Sequence, residues 1–138
     1  NAILQEKKIM TDLEKLRFTK THEWLRVEGD TGYVGITDHA QKEITDVVFV
    51  ELPKIGKEVA KAGEAVVVES VKAAFSIYAP VSGKIVKANV AVEKDPSLVN
   101  KSPYEEGWFF AIEIKDKAEI DSLMTHRDYL EFIKTGAH

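Results

Sequence analysis

Apolar positions recur along this chain in short β-branched and aromatic runs separated by turn formers, a rhythm that predicts strands before helices. From Phe18 to Ile36 it predicts two strands around the turn-rich string Glu28-Gly29-Asp30-Thr31-Gly32. His22-Glu23-Trp24 opens the first of them. Trp24 is expected to pack in the core or at its rim, and Glu23 to be an exposed strand carboxylate. Val47 to Leu52 is β-branched and aromatic, and Pro53, which has no ladder donor, ends it. Ile55-Gly56-Lys57 turns the chain into Glu58-Val59. Lys84 to Val90 alternates polar and apolar positions as a half-buried strand does, and Trp108 to Ile114 is the last strong strand.

Helix signals are fewer. Thr37-Asp38 offers an N-cap oxygen, with Gln41 three residues after Asp38 in the capping-box sense, and predicts a short helix to about Ile44. The stretch from Glu93 to Glu106 holds Pro96 and Pro103 and reads as a loop with at most one helical turn around Ser97 to Asn100. Asp116 with Glu119 starts a helix to about Leu123, and Thr125 with Asp128 another to about Thr135. Their apolar residues Ile120, Leu123, Met124, Tyr129, Leu130 and Ile133 are expected to pack on the β core.

Between Glu64 and Pro80 two β-prone runs meet with no ordinary turn residue. A tight hairpin is usually marked by Asn-Gly, Asp-Gly or a glycine pair, which accept positive φ. Val71-Lys72 stands in that place, so an amine is raised on a hairpin tip, solvated and unpaired, within reach of an acylating enzyme. A single lysine is ordinarily just a solvated charge. Here Gly63 precedes Lys72 by nine residues and Gly83 follows it by eleven, each in a turn-like string, which centres the lysine in a quasi-symmetric up-and-down β unit. That arrangement suits a carrier of a long, mobile arm.

Composition narrows the classes. A chain of 138 residues, 44% apolar, can bury one real core and fits a single domain from Met10 to His138. Asn1 to Ile9 reads as an added remnant or a disordered lead, with neither a secretory nor a transit pattern. A net charge of −4 lacks the footprint of a nucleic-acid binder, and no apolar run approaches a bilayer span. The expectation is a bacterial cytoplasmic protein without membrane or nucleic-acid partners, although a matured mitochondrial chain would look the same. With no cysteine, disulfides and thiolate sites are excluded. His39 is read as having no second ligand at i+3 or i+4, and His22, His39, His126 and His138 show no ligand spacing, so no metal site is expected. Neither a nucleophile–base pair nor a phosphate-cradling glycine loop points to an enzyme.

The string Glu69-Ser70-Val71-Lys72-Ala73-Ala74, followed by Tyr78-Ala79-Pro80-Val81-Ser82-Gly83, resembles the lipoyl-attachment segment of the glycine cleavage system H protein family. Further similar blocks follow the family's order: His22-Glu23-Trp24, Val34 to Gln41, Val48 to Pro53, Leu98-Val99-Asn100, and Pro103 to Trp108. The resemblance runs from about Phe18 into the C-terminal helices. It implies a mainly β barrel-sandwich hybrid of the lipoyl/biotinyl type with short peripheral helices, and a non-catalytic carrier. Lys72 would hold lipoate as an amide, with Glu69, Ser70, Val71, Ala73 and Ala74 as recognition context for the lipoate-attaching enzyme. The partners implied are the decarboxylating P protein, the aminomethyltransferase T protein and the dihydrolipoamide dehydrogenase L protein, met in turn by a monomer. An arm loaded with a cationic amine would call for a shielding carboxylate; Glu23, Asp38 and Glu43 are candidates, Glu23 foremost because it lies in a matching block. Thr45 stands where the family usually has glycine, and Phe75 where it has a small polar residue. Biotinylation is disfavoured because Val71 and Ala73 replace the methionines that flank a biotinyl lysine. A lipoyl or acyl relay, or an unmodified interaction module, remains as an alternative.

Overall fold

The structure, a computed structural model, describes residues 13 to 136; the reading of residues 1–9, and His138, lie outside the described residues. The elements in chain order are β1 (Arg17–Phe18), β2 (Glu23–Glu28), β3 (Thr31–Ile36), α1 (Asp38–Ile44), β4 (Val47–Glu51), β5 (Glu58–Val59), β6 (Glu64–Ser70), β7 (Ala74–Tyr78), β8 (Gly83–Ala88), α2 (Val90–Lys94), α3 (Leu98–Lys101), β9 (Phe110–Ile114), α4 (Ala118–Asp121) and α5 (His126–Lys134).

β2 and β3 form the predicted hairpin, closed at Glu28↔Thr31 with Gly29 at φ +65. They belong to a six-stranded sheet ordered β1-β2-β3-β9-β8-β5, which faces a three-stranded sheet ordered β4-β6-β7. Every pairing is antiparallel. The two sheets remain open sandwich layers, as the barrel-sandwich reading implies. Leu25, Val34 and Ile36 on one layer meet Val50, Val66, Val68 and Ile77 on the other, with Ile85 and Ile112, in one buried cluster. Strand side chains alternate faces, so Trp24, next to Leu25, points to the opposite side. There it joins Leu16, Phe18 and Tyr129 in a second cluster, covered by α5. Both residues are wholly buried, which makes the head of β2 two-sided. Gly35 faces the Trp24 ring so closely that a Cβ there would stand 2.6 Å from it, so only glycine fits.

Three expectations need correcting. The strand read to Val90 stops at Ala88, because the Asn89 side chain accepts from Ala91 N–H and starts α2. The loop that follows therefore begins with a helix, and α3 is the single turn predicted near Ser97. Leu130 does not pack on the core. It is 42% exposed, while Tyr129, Phe132 and Ile133 carry the buried side of α5.

Candidate functional site

The β6–β7 hairpin places Lys72 at its tip, with Glu69 opposite Ala74 and Val68 opposite Phe75. No turn glycine is needed because Ser70 supplies the bend. Its Oγ accepts from the backbone N–H of Lys72 (3.1 Å) and of Ala73 (3.2 Å), and its own N–H donates to Ala73 O at 2.9 Å. A serine hydroxyl can stand in for a backbone turn in this way. Glu69, Val71, Lys72, Ala73 and Ala74 are exposed around it.

Lys72 is solvated but not unpaired, as first read. Its Nζ donates to Glu43 O at 3.4 Å, one of the last carbonyls of α1, where a cation also meets the negative end of the helix dipole. The side chain thus leans towards α1, over a cavity of about 200 Å³ lined by Thr21, Ile36, Ile44, Phe75 and Ile77 among others. Phe75 packs against the core and also walls this cavity.

A second groove, of about 250 Å³, lies further along β7, between Phe18, Thr19, Glu23, Tyr78, Ala79 and Leu123. Thr21 is a lining residue of both. From Lys72 to Tyr78 an extended strand spans about 20 Å.

Glu23 departs from its expected place. It is 1% exposed, not an exposed strand carboxylate. Thr19 and Thr21 hydroxyls each donate to Oε1 at 2.5 Å and Tyr78 N–H to Oε2 at 3.2 Å. Burial pushes its carboxyl above the ordinary range, and these donors only partly oppose the shift. Asp38 is elsewhere engaged, with Lys42 at 3.0 Å and Gln41 at 2.9 Å, at neither groove. Thr37, the residue before it, is the N-cap of α1 and accepts from Ala40 N–H.

Glu43 stands at the rim of the Lys72 cavity. Its Oε1 is 3.1 Å from His39 Nε2. The reading that His39 lacks a partner at i+4 is therefore wrong, because a carboxylate ligand was overlooked in favour of a second histidine. The fold adds His22 from the head of β2, and the ligand atoms of His22, His39 and Glu43 lie within 4.8 Å of one another. His22 and Glu43 are 21 residues apart in sequence, and no spacing rule joins them.

Thr45, the residue that stands for a usual glycine, has φ +67, a region that strains a β-branched side chain. Asn100 braces it, donating to Thr45 O (2.9 Å) and Gln41 Oε1 (3.1 Å) while accepting from Val47 N–H (2.9 Å).

Comparison with known proteins follows the same layout. The family described as glycine cleavage H-protein matches residues 16–136. The glycine cleavage system H protein of Beijerinckia indica is 56% identical over 119 residues, covering 86% of this chain and 96% of its own. That of Thermus thermophilus is 52% identical over 127 residues, covering 91% and 99%. The crystal structure of a glycine cleavage system H protein from Mycobacterium marinum superposes with a TM-score of 0.79 at 32% identity, covering 89% of this chain and 98% of its own. Agreement over nearly the whole length, in sequence and in fold alike, leaves no part of the two-sheet body outside the match: the chain belongs to the glycine cleavage H-protein family.

Proposed function

We propose that Lys72 is the attachment point of lipoate, and that through it this chain carries the aminomethyl group of glycine between the enzymes of glycine cleavage. As a member of its family the chain is a lipoate-bearing carrier component and not itself a catalyst. The observation that supports Lys72 is its position: an exposed amine on a glycine-free hairpin tip, leaning over a cavity that shares the wall residue Thr21 with the Glu23 groove. Lipoate joined there by an amide supplies a dithiolane that cycles between disulfide and dithiol.

The rest is done by the chain's own side chains. Ser70 holds the bend that offers Lys72 to the attaching enzyme, and Glu69, Val71, Ala73 and Ala74 frame it. Acylation removes the ammonium charge and with it the attraction to the negative end of the α1 dipole, which weakens the hold of Glu43 O on the side chain. Phe75, Ile77 and Tyr78 wall the track along β7. Glu23 waits at its end as a buried carboxylate. A cationic amine arriving beside Glu23 favours its ionised form, since an opposite charge within a few ångströms lowers a carboxyl pKa. Glu23 is thus favoured as the shielding carboxylate, since Asp38 lines neither cavity and Glu43 stands at the Lys72 end of the track.

The partners are the components of glycine cleavage: the P protein that loads the carrier, the T protein that unloads it and the L protein that reoxidises it, besides the lipoate-attaching enzyme. A carrier that must release each in turn works as a monomer, in the bacterial cytoplasm. Among the described residues no helix is long and apolar enough to cross a membrane.

Intact mass of the protein from lipoate-fed cells tests the assignment. An increment of one lipoyl group mapped to Lys72, and loss of glycine-dependent methylene transfer in Lys72→Arg, are the expected results. Transfer that survives Lys72→Arg overturns it.

A further inference from the structure

Beside the Lys72 cavity the fold gathers three metal-ligating side chains that the carrier role does not use. We infer that His22, His39 and Glu43 form a binding site for a divalent cation of the zinc class. The inference goes beyond the carrier reading and does not depend on it.

Two nitrogens and one carboxylate oxygen are a ligand set suited to zinc and its neighbours, with a fourth position open to water or a further ligand. His39 and Glu43 stand one turn apart on α1, with Nε2 and Oε1 at 3.1 Å. Ligand atoms bound to one cation at about 2.0–2.1 Å in a tetrahedron stand roughly 3.4 Å apart, so this pair needs little movement. His22 completes the set, all three ligand atoms lying within 4.8 Å of one another and the His22 and His39 ring centroids 4.8 Å apart. Glu43 is exposed, so its carboxylate can adjust around an ion.

The outer shell is already built around His22. Its Nδ1 lies 2.8 Å from Tyr129 Oη, and that oxygen lies 2.7 Å from Thr37 Oγ1. A neutral imidazole ligating through Nε2 carries its proton on Nδ1 and donates it to Tyr129, whose own O–H then donates to Thr37. The distances allow this relay, and such partners are what orient a ligating histidine. His22 also has φ +74, backbone strain of the kind that persists where the surroundings hold a side chain to a task. The ion would tie the head of β2 to α1, the two elements that wall the cavity under Lys72.

The test uses the full chain without lipoate, because a dithiol would bind the ion itself. Co2+ is the probe, followed by its visible absorption, with Zn2+ added to displace it. One equivalent should bind, and His39→Ala and Glu43→Gln, at a half-buried and an exposed position, should each weaken it roughly 10-fold or more. His126→Ala, at a histidine outside the cluster, should leave the affinity unchanged. Failure to bind one equivalent, or parental affinity in either His39→Ala or Glu43→Gln, overturns the site. Lipoylation of Lys72, measured by mass, is a separate readout, so the carrier assignment stands or falls on its own.

Discussion

At the scale of single residues, Glu23 carries the sharpest consequence. Burial raises its carboxyl above the ordinary value of 4.5, so its contribution to stability is fully present below that pH and is lost as pH rises through the raised folded value. Glu23→Gln removes the titration. The stability of the variant relative to the parent should therefore improve as pH climbs above 4.5 and level off above the raised folded value, read from urea midpoints across that range. A difference that does not change with pH would show that Glu23 does not titrate in that window. The same substitution should shorten the lifetime of the loaded carrier, since a neutral amide offers no counter-charge to a cationic amine. Lys72 and its neighbours could be found in the sequence because the signal was local: a lysine where a turn residue belongs. Glu23 was flagged by its motif, but its burial was misjudged. Alternation along β2 says only which face a side chain is on, and both faces are covered there.

Among the elements, the stretch after β8 shows how one side chain can redirect the backbone. Asn89 accepts from Ala91 N–H to open α2, and its Nδ2 donates to Glu106 O at 2.8 Å and Trp108 O at 2.7 Å. One buried amide thereby ends a strand, starts a helix and fastens the far end of the loop. Asn89→Ala should cost about 2–3 kcal/mol, from a lost cap and two carbonyls left short of a donor, seen as a lower urea midpoint at unchanged m-value. The alternating pattern Lys84 to Val90 carried the strand reading one turn too far because Val90 fits its period equally well. The β6–β7 hairpin was legible for the opposite reason. Its two runs and the residues between them are contiguous, and Ser70 closes the bend from within the same six residues.

For the whole molecule, Tyr129 joins parts of the chain that are far apart: α5, the head of β2 and the N-cap of α1. Its hydroxyl touches His22 Nδ1 and Thr37 Oγ1 across 107 and 92 residues, and burial holds its own ionisation well above the ordinary tyrosine range. Tyr129→Phe keeps the packing against Phe18, whose ring is 4.8 Å away, while taking a hydrogen-bond partner from each of the other two groups. A loss of about 1–3 kcal/mol is expected, together with weaker Co2+ binding, and a variant as stable as the parent would show that the relay carries no weight. By itself the sequence determined the short strands and their turns, the lysine at the hairpin tip, the caps at Thr37 and Thr125 and the family, because each is written in residues close together along the chain. Only the tertiary structure decided that Glu23 is buried, that a cavity under Lys72 and a groove beside Glu23 both draw on Thr21, and that His22 meets His39 and Glu43. Those depend on how two sheets and a C-terminal helix close over one another, and the closing contacts join residues whose separation in sequence follows no period.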